Sequence, residues 1–345
     1  MSTTTHSSPV TAAVLGSGAW GTTFAAVLAD AGCEVRLWGR NADVAADVNA
    51  TRHNSAYLPD IELPAGLTAT TDAAEALAGA QLVVVAIPSQ SARATLAPLR
   101  EHLAEGVVAV SLMKGVELST DRRMSEVVAE VWGLPLDKVA VVSGPNLARE
   151  IAEHQPTATV VSATNEETAR FVAAACSSSY FRPYTNSDVV GVELCGAVKN
   201  VIALAVGIAQ GRGFGYNTTA TVITRGLVEI TRLGLALGAD AETFSGLAGM
   251  GDLVATCTSP LSRNHTLGKH IGQGMSLEEA VAATGGTAEG VKSCRSVLEL
   301  AQKVGVDMPI TAGVVAVLHE GMPVDDMARG LLARPQKSEG VTSGR

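Results

Sequence analysis

A glycine-rich turn between an apolar strand and a helical segment limits this chain to a small number of folds. Residues 16–21 read GSGAWG and fit the pattern G-x-G-x-x-G. The apolar run 11–15 comes directly before the turn, and an unbroken helical pattern over 20–31 follows it. Because 35 of the 345 residues are glycine, the pattern alone is weak evidence. Its position at the start of a strand–turn–helix unit makes it specific.

Each of the three glycines in this turn has a different structural role. Gly16 permits the tight turn, Gly18 lets the backbone approach a pyrophosphate, and Gly21 allows the helix to pack closely on the strand. The free N–H groups and positive dipole end of the helix then favour an anion. The turn therefore predicts dinucleotide binding, with a ligand-free strand–helix turn as the alternative.

The end of the second predicted strand indicates which dinucleotide is bound. An NAD-binding protein usually carries Asp or Glu there for the ribose hydroxyls. Here the strand 34–38 is followed by Gly39 and Arg40, with no carboxylate at its tip. Arg40 could hold a 2′-phosphate through forked, charge-assisted hydrogen bonds, or it could be an ordinary exposed arginine. We expect NADP(H) to be preferred, with NAD(H) possible.

The distribution of apolar runs predicts two kinds of architecture in sequence. The runs that read as strands, separated by helical patterns, are 11–15, 34–38, 82–87, 107–112, 139–143 and 157–162. Such alternation is typical of an α/β domain with a Rossmann-like, doubly wound and mostly parallel sheet. Helical patterns dominate after about residue 188, which predicts an all-α C-terminal domain.

This change in pattern gives the expected domain organisation. We expect a disordered polar tail at 1–10, a dinucleotide-binding domain at 11–188, an all-helical substrate and catalytic domain at 189–334, and a disordered tail at 335–345.

The charge balance excludes some classes of partner. Lys and Arg number 25 against 34 Asp and Glu, a formal net charge of −9, which disfavours nucleic acid because the net field repels a polyanion. A small phosphorylated substrate is still compatible, since it needs only a few local cations.

Cysteine usage and hydropathy bear on location. The five cysteines show no metal-ligand spacing, so we expect no metal site and reduced thiols in a cytoplasmic protein. The longest apolar stretch, 201–209, is too short to cross a bilayer, so we expect no membrane insertion.

Two lysines are candidates for chemistry. Lys199 lies in a helical run whose neighbours are nearly all apolar. Burial would lower the pKa of its amine toward the range useful for proton transfer, although a lysine that reaches out to solvent is the alternative. Lys114 follows the predicted strand 107–112, and ligands of open α/β sheets bind at that end of the strands.

Several polar loops could complete a site, although each alone is more typical of an ordinary turn or helix start. They are the segments 144–146 (GPN), 211–215 (GRGFG), 249–252 (GMGD) and 262–264 (SRN).

Taken together, these motifs closely resemble the bacterial-type NAD(P)-dependent glycerol-3-phosphate dehydrogenases over about residues 11–334. The segments that carry the resemblance are 16–22, 37–40, 114–117, 143–148, 197–200, 213–215, 248–253, 262–264 and 289–290. Several unlinked motifs in the same order are far more specific than any one of them.

The resemblance implies reversible reduction of dihydroxyacetone phosphate to sn-glycerol 3-phosphate, which supplies glycerophospholipid synthesis. It makes Lys199 the proton carrier, with Lys114 orienting the substrate. The positions that it assigns to the substrate are Lys114, Gly144, Asn146, Lys199, Asp252, Ser262, Arg263 and Asn264. The positions on or beside the cofactor are Gly16, Ser17, Gly18, Trp20, Gly21, Arg40, Lys114, Ala148, Arg263, Thr287 and Glu289.

The chain departs from the family pattern at two places. Asn146 and Leu147 replace the more usual Thr or Ser and Phe, although Asn can still form hydrogen bonds, and Thr287 stands where an aliphatic residue is common. Two other functions are compatible with the sequence: another two-domain hydroxyacid or sugar-nucleotide dehydrogenase, and a non-catalytic NAD(P)-sensing module. We also expect a homodimer, built on exposed apolar stripes of the helical domain.

Overall fold

The structure is a computed structural model that describes residues 9–118, 120–285 and 288–336. Its strands are β1 (Thr11–Leu15), β2 (Glu34–Trp38), β3 (Leu67–Thr70), β4 (Leu82–Val85), β5 (Val108–Ser111), β6 (Val139–Ser143), β7 (Thr157–Ser162) and β8 (Phe181–Asn186). They form one sheet in the order β3-β2-β1-β4-β5-β6-β7-β8. All neighbours are parallel except β6 and β7. The prediction of a mostly parallel sheet is confirmed.

The two strands absent from the sequence prediction are the two edges of the sheet. β3 pairs only with β2, and β8 pairs only with β7. Their sequences, LTAT and FRPYTN, contain polar and exposed residues and therefore lack the continuous apolar run of a buried strand. Pro183 within β8 is compatible with an edge strand, where a missing N–H costs little.

Helices cover both faces of the sheet, as the doubly wound prediction requires. They are α1 (Ala19–Asp30), α2 (Ala42–Thr51), α3 (Ala73–Leu77), α4 (Ala92–Leu96), α5 (Met124–Trp132), α6 (Ala148–Ala152) and α7 (Glu166–Ala175). Side chains of β1 alternate between the faces: Val14 packs with Phe24 of α1, whereas Leu15 belongs to a second apolar cluster with Leu96 of α4. This alternation gives the sheet a separate hydrophobic core on each side.

The strand order places a crevice at the carboxyl end of the sheet. β2 lies on one side of β1 and β4 on the other, so the connections leave β1 and β4 in opposite directions. Ligands of open α/β sheets bind at such a switch point. The glycine turn follows β1, and Lys114 follows β5, two strands away along the same edge. The fold therefore brings both motifs to one crevice.

The described part of the chain after β8 contains helices and no strands. The helices are α8 (Val189–Gly211), α9 (Tyr216–Ala236), α10 (Ala241–Ser245), α11 (Asp252–Thr258), α12 (Arg263–Gly272), α13 (Leu277–Ala283), α14 (Glu289–Lys303), α15 (Pro309–His319) and α16 (Val324–Leu332). A π-helical turn at 247–251 connects α10 to α11. The predicted all-α C-terminal domain is confirmed. Of the predicted tails 1–10 and 335–345, residues 1–8 and 337–345 lie outside the described residues.

The axis of the helical domain is α8, a helix much longer than the apolar run 201–209. It has 23 residues, which makes it long and apolar enough to cross a membrane by length and composition alone. However, 94% of its most apolar window is buried inside the protein. Helices α9, α10, α11, α12, α14 and α15 pack against it, so its apolar side chains lie in a protein core.

Glycines allow α8 and α12 to approach each other closely. A Cβ atom added at Gly207 of α8 would overlap the backbone carbonyl oxygen of His265, and one added at Gly268 of α12 would overlap that of Leu204. The two backbones are therefore in direct contact. This contact holds the start of α12, with Ser262 and Asn264, beside the middle of α8.

We expect Gly207→Ala to lower the free energy of unfolding by about 1–3 kcal/mol, because the added methyl group forces two helix backbones apart. Gly330→Ala is the matched control: this glycine is exposed in α16 and has no atom of the described chain within 4 Å of the added methyl group. It should be neutral or stabilise by up to about 1 kcal/mol. Urea unfolding followed by circular dichroism measures both. Equal effects of the two substitutions would contradict the close helix contact.

Candidate active site

The glycine turn has the geometry of a phosphate loop. Gly16 has a φ of +124°, and a Cβ atom there would overlap the carbonyl oxygen of Ala86, directly beyond β4. A Cβ atom at Gly21 would overlap the carbonyl oxygen of Gly16. At Gly18, by contrast, no described atom lies within 4 Å of the Cβ position. The turn is packed where strand and helix meet and open where a pyrophosphate would approach, so it fits a dinucleotide.

The first turn of α1 keeps unused hydrogen-bond donors. Its N-cap residue is Gly18, which has no side chain to cap the helix. The indole Nε1 of Trp20 is buried without a partner among the described residues. Its ring packs edge-on against Phe24, with the ring centroids 5.6 Å apart. The Thr23 hydroxyl donates to the carbonyl oxygen of Ala148 over 3.2 Å, which holds the start of α6 beside α1.

Arg40 stands exposed just beyond β2, at the place where a dinucleotide fold contacts the adenosine ribose. Within the described chain it has no ion pair. Ser17 lies against the end of the same strand, because a Cβ atom at Gly39 would overlap its hydroxyl. The next residue, Asn41, caps α2 with its side chain and carries no charge. A guanidinium that has no ion pair in the described chain is suited to a 2′-phosphate.

A buried carboxylate joins the two candidate lysines. Asp252 is 1% exposed, and its two oxygens accept hydrogen bonds from different amines. The Lys114 Nζ donates to Oδ2 over 2.8 Å, and the Lys199 Nζ donates to Oδ1. The loop after β5, the middle of α8 and the first turn of α11 therefore meet at one point. The Lys114 stem passes over Gly196 of α8, where a Cβ atom would come within 3.4 Å of its Cγ.

Lys199 is the buried amine that its apolar neighbours predict. Burial lowers the pKa of Lys199 to about 8, with the nearby charge of Lys114 acting in the same direction and the Asp252 carboxylate opposing them. The Lys199 Nζ also donates to the hydroxyl of Thr256 over 2.6 Å. An amine with this pKa exchanges its proton readily near neutral pH.

The turn after β6 contributes a backbone acceptor and an amide. The carbonyl oxygen of Gly144 lies 3.4 Å from the Lys114 Nζ. The Asn146 Nδ2 donates to the hydroxyl of Thr159 over 2.9 Å. The Asn146 Oδ1 is buried and has no partner among the described residues. This side of the pocket therefore offers an unsatisfied hydrogen-bond acceptor.

The start of α12 is tied to α8 and α14 by an amide network. The Asn264 Nδ2 donates to the Asn200 Oδ1 over 3.0 Å, and the Asn264 Oδ1 accepts from the Gly290 N–H over 2.9 Å. Ser262 is the N-cap of α12, and its hydroxyl accepts a backbone N–H. Arg263, between them, is exposed and has no ion pair within the described chain. Its charge and the helix N-terminus suit an anionic group such as a phosphate.

Glu289 connects the helical domain back to the sheet. Its Oε1 accepts from the Ser89 N–H, just beyond β4, over 3.2 Å. Burial raises the pKa of the Glu289 carboxyl, while its hydrogen bond to Ser89 and the positive charges of Arg263 and Lys114 lower it. Those charges place Glu289 in the same electrostatic environment as the lysine pair. Thr287 lies outside the described residues.

The structure therefore brings most of the predicted site residues to the carboxyl edge of the sheet. One group, in direct contact, is Lys114, Gly144, Lys199 and Asp252. A second group, joined by hydrogen bonds around α12 and α14, contains Asn264, Gly290, Glu289 and Ser89. The glycine turn and Arg40 follow the neighbouring strands β1 and β2.

Sequence reasoning missed four residues that hold the site together. Thr256 follows Asp252 by one helical turn, so i, i+4 spacing on α11 could have indicated it. Asn200, Ser89 and Thr159 contact site residues that are distant in sequence. Asn200 lies in the motif 197–200 but received no role of its own, and no local pattern marks Ser89 or Thr159. Among the described residues, no group of three His, Cys, Asp or Glu side chains could hold a metal ion.

A phosphate loop at the switch point of a mostly parallel sheet is typical of nicotinamide-dependent dehydrogenases, and here two lysines bridged by a buried carboxylate lie at the carboxyl edge of the same sheet. Comparison of the sequence with known protein families identifies a particular family within this class of dehydrogenases. Residues 11–169 match the family described as NAD-dependent glycerol-3-phosphate dehydrogenase N-terminus, and residues 188–329 match its C-terminus. The chain belongs to the NAD-dependent glycerol-3-phosphate dehydrogenase family.

Individual relatives agree with this assignment. A Streptomyces griseus protein named glycerol-3-phosphate dehydrogenase [NAD(P)+] is 61% identical over 331 residues, covering 96% of this chain and 98% of its own. A Corynebacterium jeikeium protein of the same name is 59% identical, covering 96% of this chain and 100% of its own. The crystal structure of glycerol-3-phosphate dehydrogenase from Coxiella burnetii superposes with a TM-score of 0.90 at 38% identity, covering 94% of this chain and 99% of its own.

The pKa of Lys199 is about 8, and we expect Asp252→Asn to lower it below that value. The substitution removes the negative charge that opposes burial and leaves the like charge of Lys114 in place. NMR titration of the Lys199 side-chain nitrogen measures the change. The control is Asp121→Asn, since that carboxylate pairs with the exposed Lys303. An unchanged or raised Lys199 pKa in a folded Asp252→Asn protein would contradict the bridging role.

Proposed function

We propose that this protein reversibly reduces dihydroxyacetone phosphate to sn-glycerol 3-phosphate with NAD(P)H. The observation that carries the proposal is the pair of the partly buried Lys114 and the buried Lys199, bridged by Asp252 at the carboxyl edge of a sheet that bears a phosphate loop. Membership of the glycerol-3-phosphate dehydrogenase family and the names of the relatives support it. The same arrangement disfavours a non-catalytic sensor, because dinucleotide binding alone requires no pair of lysines bridged by a buried carboxylate.

Lys199 is the proton carrier of the proposed reaction. A nicotinamide cofactor, when bound, supplies or accepts the hydride at C2 of the substrate. The Lys199 Nζ donates a proton to the substrate oxygen during reduction and takes it back during oxidation. A pKa of about 8 lets the amine do both at physiological pH. Asp252 and Thr256 hold the Nζ in position.

The substrate's two ends are bound by different parts of the site. Lys114, fixed between Asp252 and the carbonyl oxygen of Gly144, orients the reacting end. Arg263 and the start of α12 bind the phosphate by charge-assisted hydrogen bonds. The full proposed substrate set is Lys114, Gly144, Asn146, Lys199, Asp252, Ser262, Arg263 and Asn264.

The cofactor is bound along the edge formed by β1, β2 and β4. The proposed cofactor set is Gly16, Ser17, Gly18, Trp20, Gly21, Arg40, Lys114, Ala148, Arg263, Thr287 and Glu289. Arg40, which has no ion pair in the described chain, makes NADP(H) the preferred cofactor, with NAD(H) also used.

The proposal extends to organisation and cellular role. Residues 11–188 bind the dinucleotide and contribute Lys114, Gly144 and Asn146 to the substrate pocket, and residues 189–334 supply the rest of that pocket. The protein acts in the cytoplasm and its product feeds phospholipid synthesis. It functions as a homodimer through its helical domain, where Phe214, Tyr216 and Leu235 leave apolar surface exposed.

The test of the proposed activity is Lys199→Ala assayed by NAD(P)H oxidation with dihydroxyacetone phosphate. We expect turnover to fall by about 10²–10⁴, because the reaction loses its general acid while the fold survives. Lys303→Ala, which removes a lysine from an exposed ion pair, should keep normal turnover. Circular dichroism verifies folding of both proteins.

The pH profile supplies a second readout of the same variant. Wild-type reduction should decline as pH rises through about 8, since the protonated form of Lys199 is lost there. This decline should disappear in Lys199→Ala. Normal turnover in the folded variant would refute the assignment of Lys199. Tight cofactor binding without oxidation by any carbonyl substrate would favour a sensor, and activity on hydroxyacids alone would favour a different dehydrogenase.

Arg40→Ala tests the cofactor preference. Loss of a charge-assisted contact to a 2′-phosphate should raise the KM for NADPH by roughly 10- to 100-fold. The KM for NADH should change little. Arg170→Ala, on the exposed surface of α7, is the matched control. Equal effects on the two cofactors would mean that Arg40 does not contact the 2′-phosphate.

A further inference from the structure

Thr159 controls the orientation of an amide in the substrate pocket. It is fully buried in β7, beside the turn that follows β6. Its hydroxyl oxygen lies 3.1 Å from the carbonyl oxygen of Ser143 and 2.9 Å from the Asn146 Nδ2. One hydroxyl group therefore contacts the beginning and the end of the turn 143–146.

The proton count decides which atom of the Asn146 amide faces Thr159. A carbonyl oxygen can only accept, so the single hydroxyl proton of Thr159 goes to Ser143. The Thr159 oxygen must then accept from Asn146, which requires the amide nitrogen. A flipped amide would place two acceptors together with no proton between them. The contact with Thr159 fixes the Asn146 Nδ2 on one side of the amide. The Asn146 Oδ1 is therefore held on the opposite side, where it can accept a hydrogen bond.

This fixed acceptor has no donor. The Asn146 Oδ1 is buried without a hydrogen-bond partner among the described residues. An unsatisfied buried acceptor is costly, which points to a donor that arrives with a ligand. The Asn146 N–H donates to the carbonyl oxygen of Gly144 over 2.7 Å, and that same oxygen lies 3.4 Å from the Lys114 Nζ. The turn therefore forms a wall of the lysine pocket.

The chemistry of the substrate identifies the donor. At neutral pH the phosphate and the ketone of dihydroxyacetone phosphate present acceptors only. The C1 hydroxyl carries the one proton that the substrate can donate. We propose that Thr159 is a positioning residue that locks the Asn146 amide, so that its oxygen accepts this hydroxyl and selects substrates that carry it. The inference rests on the proposed function.

The experiment compares two substrates that differ by this hydroxyl alone: dihydroxyacetone phosphate and hydroxyacetone phosphate. The ratio of their kcat/KM values is measured in the wild type and in Asn146→Ala, Thr159→Val and Thr159→Ser. The wild type should prefer dihydroxyacetone phosphate by about tenfold or more. Asn146→Ala and Thr159→Val should each lower this preference about tenfold, through a loss confined to the hydroxylated substrate.

Thr159→Ser should keep the wild-type preference, because it retains the hydroxyl that orients the amide. This rescue separates positioning from packing, since Thr159→Val matches the volume of threonine more closely than serine does. If Thr159→Val does not fold, the partly exposed Asn146 still allows the test through Asn146→Ala.

Two results would overturn the inference. An equal loss on both substrates would show that Asn146 does not contact the C1 hydroxyl. A raised KM for NADPH with an unchanged substrate preference would show that the donor is a cofactor group. If the folded wild type reduced neither compound, the proposed function itself would fail, an outcome distinct from activity without the expected change in preference.

Discussion

The carboxylate of Asp252, buried between two ammonium groups, is the interaction on which the site depends. It joins the loop after β5, the centre of α8 and the start of α11. Buried charges are expensive to desolvate, and such groups often add little net stability. Their presence here fits the function that we propose, because the same contacts that satisfy Asp252 hold Lys199 in a dry environment that lowers its pKa to about 8.

The helical domain places the remaining groups around this point through α8. Close backbone contact brings α12 against α8, which sets Asn264 beside Asn200. On another side, α14 reaches back to the sheet: Glu289 accepts from the Ser89 N–H, and the Ser296 hydroxyl donates to the carbonyl oxygen of Val116. The pocket is therefore a product of both domains, and neither half contains a complete site.

Local charge differs from the net charge of the chain. A formal charge of −9 repels polyanions, yet Arg40 and Arg263 are exposed without ion pairs in the described residues, and Lys114 and Lys199 share one carboxylate. The crevice therefore contains positive charges that no carboxylate of the described residues neutralises and that are free to bind phosphate groups. This contrast reconciles an acidic protein with the phosphorylated ligands that we propose for it.

Features that depend on neighbours along the chain were predictable from the sequence. The turn 16–21 was readable because strand, glycines and helix are contiguous, and Lys199 was predicted to be buried from its apolar flanks. The edge strands β3 and β8 were not predicted, because partly exposed strands lack a continuous apolar run. The contacts between distant segments were not predictable in this way: Lys114 and Asp252 are 138 residues apart, and Thr159, which accepts a hydrogen bond from Asn146, lies on another strand. Such pairings depend on how the strands and helices pack, which no local pattern encodes.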